Sequence, residues 1–215
     1  MRSAPQIAVV DYGAGNLRSV AKALARSGLA PEVTGDPAAL RRADGVVLPG
    51  VGAFAAAAAS LKQTGLGDAV LDVIAAGRPY LGLCLGLQLL FEEGEEHGMT
   101  KGLGLLPGRV TRFPERDASG APLRVPHIGW NEVRYRGEHP MLAQLGPREL
   151  YYFVHAYRAE PARERDVVGR VDYGGEFAAA VAVGNLFAVQ FHPEKSQAAG
   201  KRLLDAYAAW VAQIR

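Results

Sequence analysis

The pentapeptide Gly82-Leu83-Cys84-Leu85-Gly86, built around the only cysteine of the chain, limits the possible fold more than any other stretch. A short apolar run, Pro79-Tyr80-Leu81, leads into it, and Leu87, Leu89, Leu90 and Phe91 follow in a helical pattern. The order strand, Gly-x-nucleophile-x-Gly, helix is that of a nucleophile elbow. The glycines allow a sharp turn and a close approach of neighbouring strands, and the side chain between them stands at the head of a helix. Amides and helix dipole at such a place favour a thiolate over a thiol. An elbow of this kind belongs in an α/β sheet, and the preceding residues have the matching rhythm.

Gln6-Ile7-Ala8-Val9-Val10 reads as a buried strand followed by the glycine-rich turn Asp11-Tyr12-Gly13-Ala14-Gly15. Asn16 is placed to cap a helix whose Leu17, Val20, Ala21 and Leu24 share one face. Pro31 to Thr34 predicts a short strand, and Asp36 a cap for a helix starting at Pro37. Gly45 to Pro49 is another apolar strand, ending in the loop Gly50-Val51-Gly52. Helices over about 53–63 and 66–76 lead to the strand before Cys84. Strands alternating with helices imply a parallel, doubly wound sheet. The second half changes character: 110–113, 130–135, 150–158, 167–173, 177–183 and 186–191 all read as strands. Gly184-Asn185 is a hairpin signal, and an amphipathic helix over about 197–214 closes the chain.

A length of 215 residues fits a single domain, 1–215, with a three-layer core. Twenty-four basic residues against 22 acidic leave a net charge of +2, with no block of like charge, so a nucleic-acid footprint is not expected. The longest apolar stretch, Ala53 to Leu61, is too short to span a bilayer. Met1-Arg2-Ser3-Ala4-Pro5 lacks the apolar core of a signal peptide, and a cytoplasmic location is the expectation. One cysteine excludes an internal disulfide, and with no histidine cluster no metal site is expected.

A lone cysteine is usually a small buried hydrophobe, but the flanking glycines and the strand-to-helix setting favour a nucleophile. His192 adds a base. It follows the apolar run Phe187 to Phe191, so it lies at the C-terminal edge of a parallel sheet, where an elbow also lies. Glu194, two residues on, can return to the imidazole and hold its tautomer. The plain alternative, a turn histidine beside a solvated glutamate, weakens once the elbow is present. Cys84, His192 and Glu194 thus form a candidate triad for acyl transfer.

Gly-Leu-Cys-Leu-Gly with a downstream Phe191-His192-Pro193-Glu194 resembles the class I, triad-type glutamine amidotransferases. Further runs occur in order: Asp11 to Leu17, Pro49 to Gly52, Pro126-His127-Ile128-Gly129-Trp130-Asn131, Tyr152 to Tyr157, and His192-Pro193-Glu194-Lys195-Ser196. Together they are similar to the glutaminase-subunit family of imidazole glycerol phosphate synthases over nearly the whole length. The resemblance implies a three-layer, flavodoxin-like α/β fold with a central, mostly parallel mixed sheet flanked by helices. It implies Cys84 as nucleophile, His192 as general base and acid, and Glu194 as orienting carboxylate. Oxyanion donors would come from the amide of Leu85 and from the loop with Val51 and Gly52, whose glycines permit a backbone flip; a tight β–α connection would need glycine there in any case.

By the same resemblance, Gly50, Gln88, Glu96, His155, Ala156 and Tyr157 hold substrate glutamine. Ala156 stands where a serine or threonine is common, which removes any hydroxyl contact from that position. Asn16, Trp130, Asn131 and Lys195 belong at an interface with a cyclase subunit built as a (β/α)8 barrel. No cofactor is implied for the glutaminase step. Rival readings are a glutaminase serving another ammonia-channelling synthase, a catalytically silent binding partner on the same fold, and a cysteine peptidase. The Pro126 to Asn131 run argues against the first, the intact triad against the second, and the lack of a peptide-binding extension against the third.

Overall fold

The computed structural model describes residues 4–214. The reading of Met1 to Ser3 lies outside them. In chain order the elements are β1 (Gln6–Val10), α1 (Leu17–Arg26), β2 (Ala30–Thr34), α2 (Pro37–Arg42), β3 (Gly45–Gly50), α3 (Phe54–Thr64), α4 (Leu66–Ala75), β4 (Tyr80–Cys84) and α5 (Leu85–Gln88). The second half runs β5 (Phe91–Gly94), β6 (Thr100–Lys101), β7 (Leu106–Arg112), β8 (His127–Tyr135), β9 (Arg148–His155), β10 (Tyr157–Pro161), β11 (Val167–Asp172), β12 (Glu176–Val183), β13 (Leu186–Val189) and α6 (Gln197–Ile214).

A nine-stranded sheet has the order β2-β1-β3-β4-β13-β12-β11-β8-β9. Pairing is parallel from β2 to β13 and antiparallel from β13 to β9. Only β12 and β8 therefore point against the rest. A second sheet, β10-β7-β5-β6, packs over one face. Strand alternation sorts the core into two layers. Ile7, Val9, Val47, Leu81, Leu83, Phe187 and Val189 face α1 and α6 through Val20, Leu24, Leu203, Tyr207 and Trp210. Ala8, Val10, Val46, Leu48 and Ala188 face α3, α4 and the small sheet through Phe54, Leu61, Val70, Phe91 and Val110. Each buried Val, Leu or Ile contributes about 1.5–3 kcal/mol, so a slip of one residue in β1 or β3 would exchange the two layers.

Three local expectations need correction. Asn16 occupies the capping position just before α1, but its side chain makes no capping hydrogen bond; its carbonyl accepts from the Val20 amide at 3.1 Å. Asp36, by contrast, caps α2 through Ala38 at 2.9 Å. The helix after the elbow is a single turn. Leu89 and Leu90 turn back, their carbonyls accepting from Leu103 and Leu105 at 2.7 and 2.9 Å, and Phe91 begins a strand. Finally, the run 150–158 is two strands in two sheets, β9 and β10, divided at Ala156.

Candidate active site

The C-terminal edges of β3, β4 and β13 lie side by side, with Gly50 opposite Cys84 and Val189 opposite Leu83. Everything the elbow needs is carried on those neighbours. Cys84 closes β4 with φ 54° and ψ −105°, a conformation that an L-residue holds only when its surroundings enforce it. The enforcement is visible at the flanking glycines. A Cβ on Gly86 would land on the Leu48 carbonyl oxygen, and one on Gly82 would lie 2.7 Å from the Gly86 oxygen. Because α5 is one turn long, positive backbone character at Cys84 comes from a few local amides rather than from a long helix dipole.

His192 follows β13, and two backbone links clamp it to β9. Its amide donates to the Tyr152 carbonyl at 3.0 Å. The Ser196 hydroxyl donates to the His192 carbonyl at 2.6 Å and accepts from the Tyr152 amide at 3.0 Å. Its Nδ1 meets Glu194 Oε1 at 2.9 Å, with both side chains almost fully enclosed. Burial works against a charged imidazole. The Cys84 sulfur and the Glu194 carboxylate outweigh it, and the His192 pKa is raised to about 9. Nε2 makes no well-aligned hydrogen bond, yet the Cys84 sulfur supports the charged ring both as a hydrogen-bonding neighbour and through its charge.

Around the sulfur, Gln190 Nε2 approaches Cys84 Sγ at 3.6 Å. Gln88 Nε2 donates to Gln190 Oε1 at 3.1 Å and to the Tyr157 carbonyl at 3.0 Å. That carbonyl also receives His155 Nδ1 at 2.8 Å. A carbonyl can only accept, so His155 carries its proton on Nδ1 and accepts at Nε2 from His127 Nδ1, 3.1 Å away. His127 Nε2 then accepts from Asn131 Nδ2 at 3.4 Å, while Asn131 also donates to the Asp172 carbonyl at 3.0 Å. His127 is stacked between Tyr173 and Phe153, with ring centroids 3.9 and 4.8 Å away. Burial lowers the pKa of His127 to about 4 and is the main cause that lowers His155 to about 3, so both stay neutral.

The remaining candidates fall in three places. Gly50, Val51 and Gly52 border the elbow on the β3 side, with Gly52 at φ 99° and Val51 exposed. Leu85 is the first residue of α5. Glu96 is partly buried, and its Oε2 accepts from the Phe54 amide at 2.6 Å, pinning the start of α3 beside that loop. Ala156 accepts from the Phe113 amide at 3.0 Å through its carbonyl. Trp130 and Asn131 are consecutive on β8 and so face opposite ways. Trp130 is 47% exposed and meets Tyr152 edge-on, whereas Asn131 turns inward to His127. Lys195 lies 5.8 Å over the Tyr152 ring, and Asn16 is exposed after β1.

Sequence reasoning passed over Gln190, His127, Ser196 and Tyr12 as site residues. Gln190 left a signal, a polar side chain inside the apolar run 187–191; it is fully buried, accepting from Gln88 and donating to the Cys84 sulfur.

The chain matches the family Glutamine amidotransferase class-I over residues 8–207. It is 51% identical over 209 residues to imidazole glycerol phosphate synthase subunit HisH of Methylococcus capsulatus, covering 95% of this chain and 96% of that one. Identity to the same subunit of Moorella thermoacetica is 50% over 201 residues, covering 94% and 93%. In fold it is similar to the structure of PurLQS from Thermotoga maritima, with TM-score 0.74 and 22% identity over 97% of this chain and 99% of the other. A crystal structure of a glutamine amidotransferase gives TM-score 0.72 at 22% identity, covering 96% and 98%. The elbow, the paired His192 and Glu194 and this likeness along almost the full length agree: the chain belongs to the class I glutamine amidotransferase family, among the HisH subunits of imidazole glycerol phosphate synthase.

Proposed function

We propose that this chain hydrolyses the side-chain amide of glutamine and hands the ammonia to a cyclase subunit for histidine biosynthesis. The observation that carries the reading is the placement of Cys84 between two neighbours, with the His192–Glu194 pair on the β13 side and the Gly50 loop on the β3 side. The Cys84 sulfur attacks the amide carbon, and negative charge gathers on the carbonyl oxygen. The amides of Leu85 and of the Val51–Gly52 loop are the donors for that oxygen. His192, held by Glu194, gives its proton to the departing nitrogen, and ammonia leaves. The same imidazole then takes a proton from water, which hydrolyses the thioester to glutamate and restores the thiol.

No helix among the described residues is long and apolar enough to cross a membrane, in keeping with a cytoplasmic enzyme. The partner is a (β/α)8-barrel cyclase docked over the exposed Trp130, Lys195 and Asn16. It uses the channelled ammonia to convert phosphoribulosyl-formimino-AICAR-phosphate (PRFAR) to imidazole glycerol phosphate and aminoimidazole carboxamide ribotide. Asn131 supports that face from within. PRFAR on the partner raises the glutaminase rate allosterically. Glutamate formation by the purified pair, with and without PRFAR, tests the reading. Stimulation is expected, and its absence would remove the histidine-pathway assignment. Cys84→Ala should abolish glutamine-dependent cyclisation and leave cyclisation from free ammonia intact.

A further inference from the structure

Tyr12, two residues past β1, has no part in the mechanism above, yet its side chain lies against Gly50 of the oxyanion loop. The residue is 6% exposed, and its hydroxyl is enclosed without any hydrogen-bond partner. Its backbone is anchored, since the Ser60 hydroxyl of α3 donates to the Tyr12 carbonyl at 2.6 Å. The hydroxyl presses on Gly50 so closely that a Cβ there would overlap it, and the same Cβ would lie 2.7 Å from Leu85 Cβ. Position 50 is glycine because the phenol and the elbow helix close on it from two directions. Burial, reinforced by the Cys84 sulfur, pushes the phenol well above its ordinary range, so it remains a donor at any working pH.

A buried hydroxyl without a partner is a net cost and calls for an explanation. The topology shows which group would use it. β3 lies between β1 and β4, so Gly50 has Tyr12 on one flank and Cys84 on the other. In a planar trans peptide the N–H and C=O point in opposite directions. For the Val51 amide to aim at the oxyanion beside Cys84, the Gly50 carbonyl must turn to the β1 flank, where the unpartnered hydroxyl stands. Val51 is 41% exposed, so its side chain can swing through solvent as the peptide turns.

We infer that Tyr12 is a positioning residue for the oxyanion loop, its hydroxyl donating to the Gly50 carbonyl when the Gly50–Val51 peptide directs its N–H toward the substrate. The hydrogen bond exists only in the competent arrangement, so Tyr12 favours that arrangement and costs stability in the other. This rests on the glutaminase reading of the Cys84 site.

Tyr12→Phe separates the possibilities. In the complex with cyclase and PRFAR, kcat for glutamate formation should fall about tenfold, with KM for glutamine within about twofold of its original value. Melting of the isolated variant should occur at the same or a higher temperature, because a buried group without a partner has been removed. An unchanged kcat would overturn the inference. So would a kcat and a melting temperature that fall together, which would mark Tyr12 as ordinary packing. Failure of the parent complex to produce glutamate from Cys84-intact protein would instead overturn the glutaminase reading, and the two failures are distinct.

Discussion

His192 and the pair His127–His155 are buried to similar depth, 3, 2 and 6% exposed, yet they are perturbed in opposite directions. His192, beside a sulfur and a carboxylate, is raised to about 9. The pair, among aromatic rings, backbone carbonyls and each other, is lowered to about 4 and 3. Burial disfavours the charged imidazole in all three places, so the neighbours decide the sign. One residue type therefore serves two purposes a few strands apart. At β13 it is a group that exchanges a proton with substrate. At β8 and β9 it is a neutral connector whose fixed tautomer orients Tyr157, Gln88 and, through them, Gln190 at the sulfur.

The most damaging way to break this contrast without touching the nucleophile is to remove the carboxylate, one of the two groups that support His192. Glu194→Gln should lower kcat roughly 10³- to 10⁴-fold, as loss of an orienting carboxylate does in related triads. The His192 titration, followed by NMR, should move down from about 9 toward the ordinary 6.5. A value that stayed near 9 would show that the carboxylate is not what distinguishes the two regions. Next in size is His155→Phe, which leaves the His127 Nδ1–H without its acceptor and the Tyr157 carbonyl with one donor fewer. A loss of about 1–3 kcal/mol is expected from such unmade buried bonds, read as a fall in melting temperature, with the His192 titration unmoved.

The two regions also predict opposite pH responses of stability. Folded His192 binds its proton more tightly than the unfolded chain does, so its contribution is complete below pH 6.5 and is lost as pH rises through about 9. Folded His127 and His155 bind theirs less tightly. Their contribution is complete above pH 6.5 and is lost as pH falls toward 4 and 3. Urea unfolding at pH 7 and pH 5 should therefore show a smaller acid-side loss in a His127→Phe, His155→Phe double variant than in the parent chain. Equal losses would mean that the pair is not neutral in the folded state.

How far each region was legible follows from the same physics. The parallel half declares itself because β1, β3, β4 and β13 are nearly continuous apolar runs, and Cys84, His192 and Glu194 stand at or just past the ends of two of them. The other half hides its key step. Residues 150–158 alternate like one strand, but the chain changes sheets at Ala156, a choice made by partners remote in sequence: β8 for β9 and β7 for β10. The single turn of α5 is hidden for a similar reason. Leu87, Leu89, Leu90 and Phe91 fit a buried helix or a buried strand equally well, and only the distant Leu103 and Leu105 amides decide. Gln190 and His127 were visible as polar residues in apolar surroundings, but Tyr12 was not, because a tyrosine after a strand carries no mark of a missing hydrogen bond.

The smallest expected effect asks where the neutral region meets the outside, and consecutive residues on β8 supply the test. Asn131 faces inward and its side chain carries three hydrogen bonds: Nδ2 donates to His127 and to the Asp172 carbonyl, and Oδ1 accepts from the Glu132 amide. Asn131→Ala should cost the isolated chain about 1 kcal/mol. Trp130 faces outward with nearly half its surface in water, its main ring partner being Tyr152, whose backbone also grips His192. Trp130→Ala should leave the isolated chain within about 0.5 kcal/mol of the parent while weakening association with the cyclase, measured by titration calorimetry. If Trp130→Ala destabilised the chain as much as Asn131→Ala, the outer face of β8 would be part of the fold's own packing, and the proposed docking surface would have to lie elsewhere.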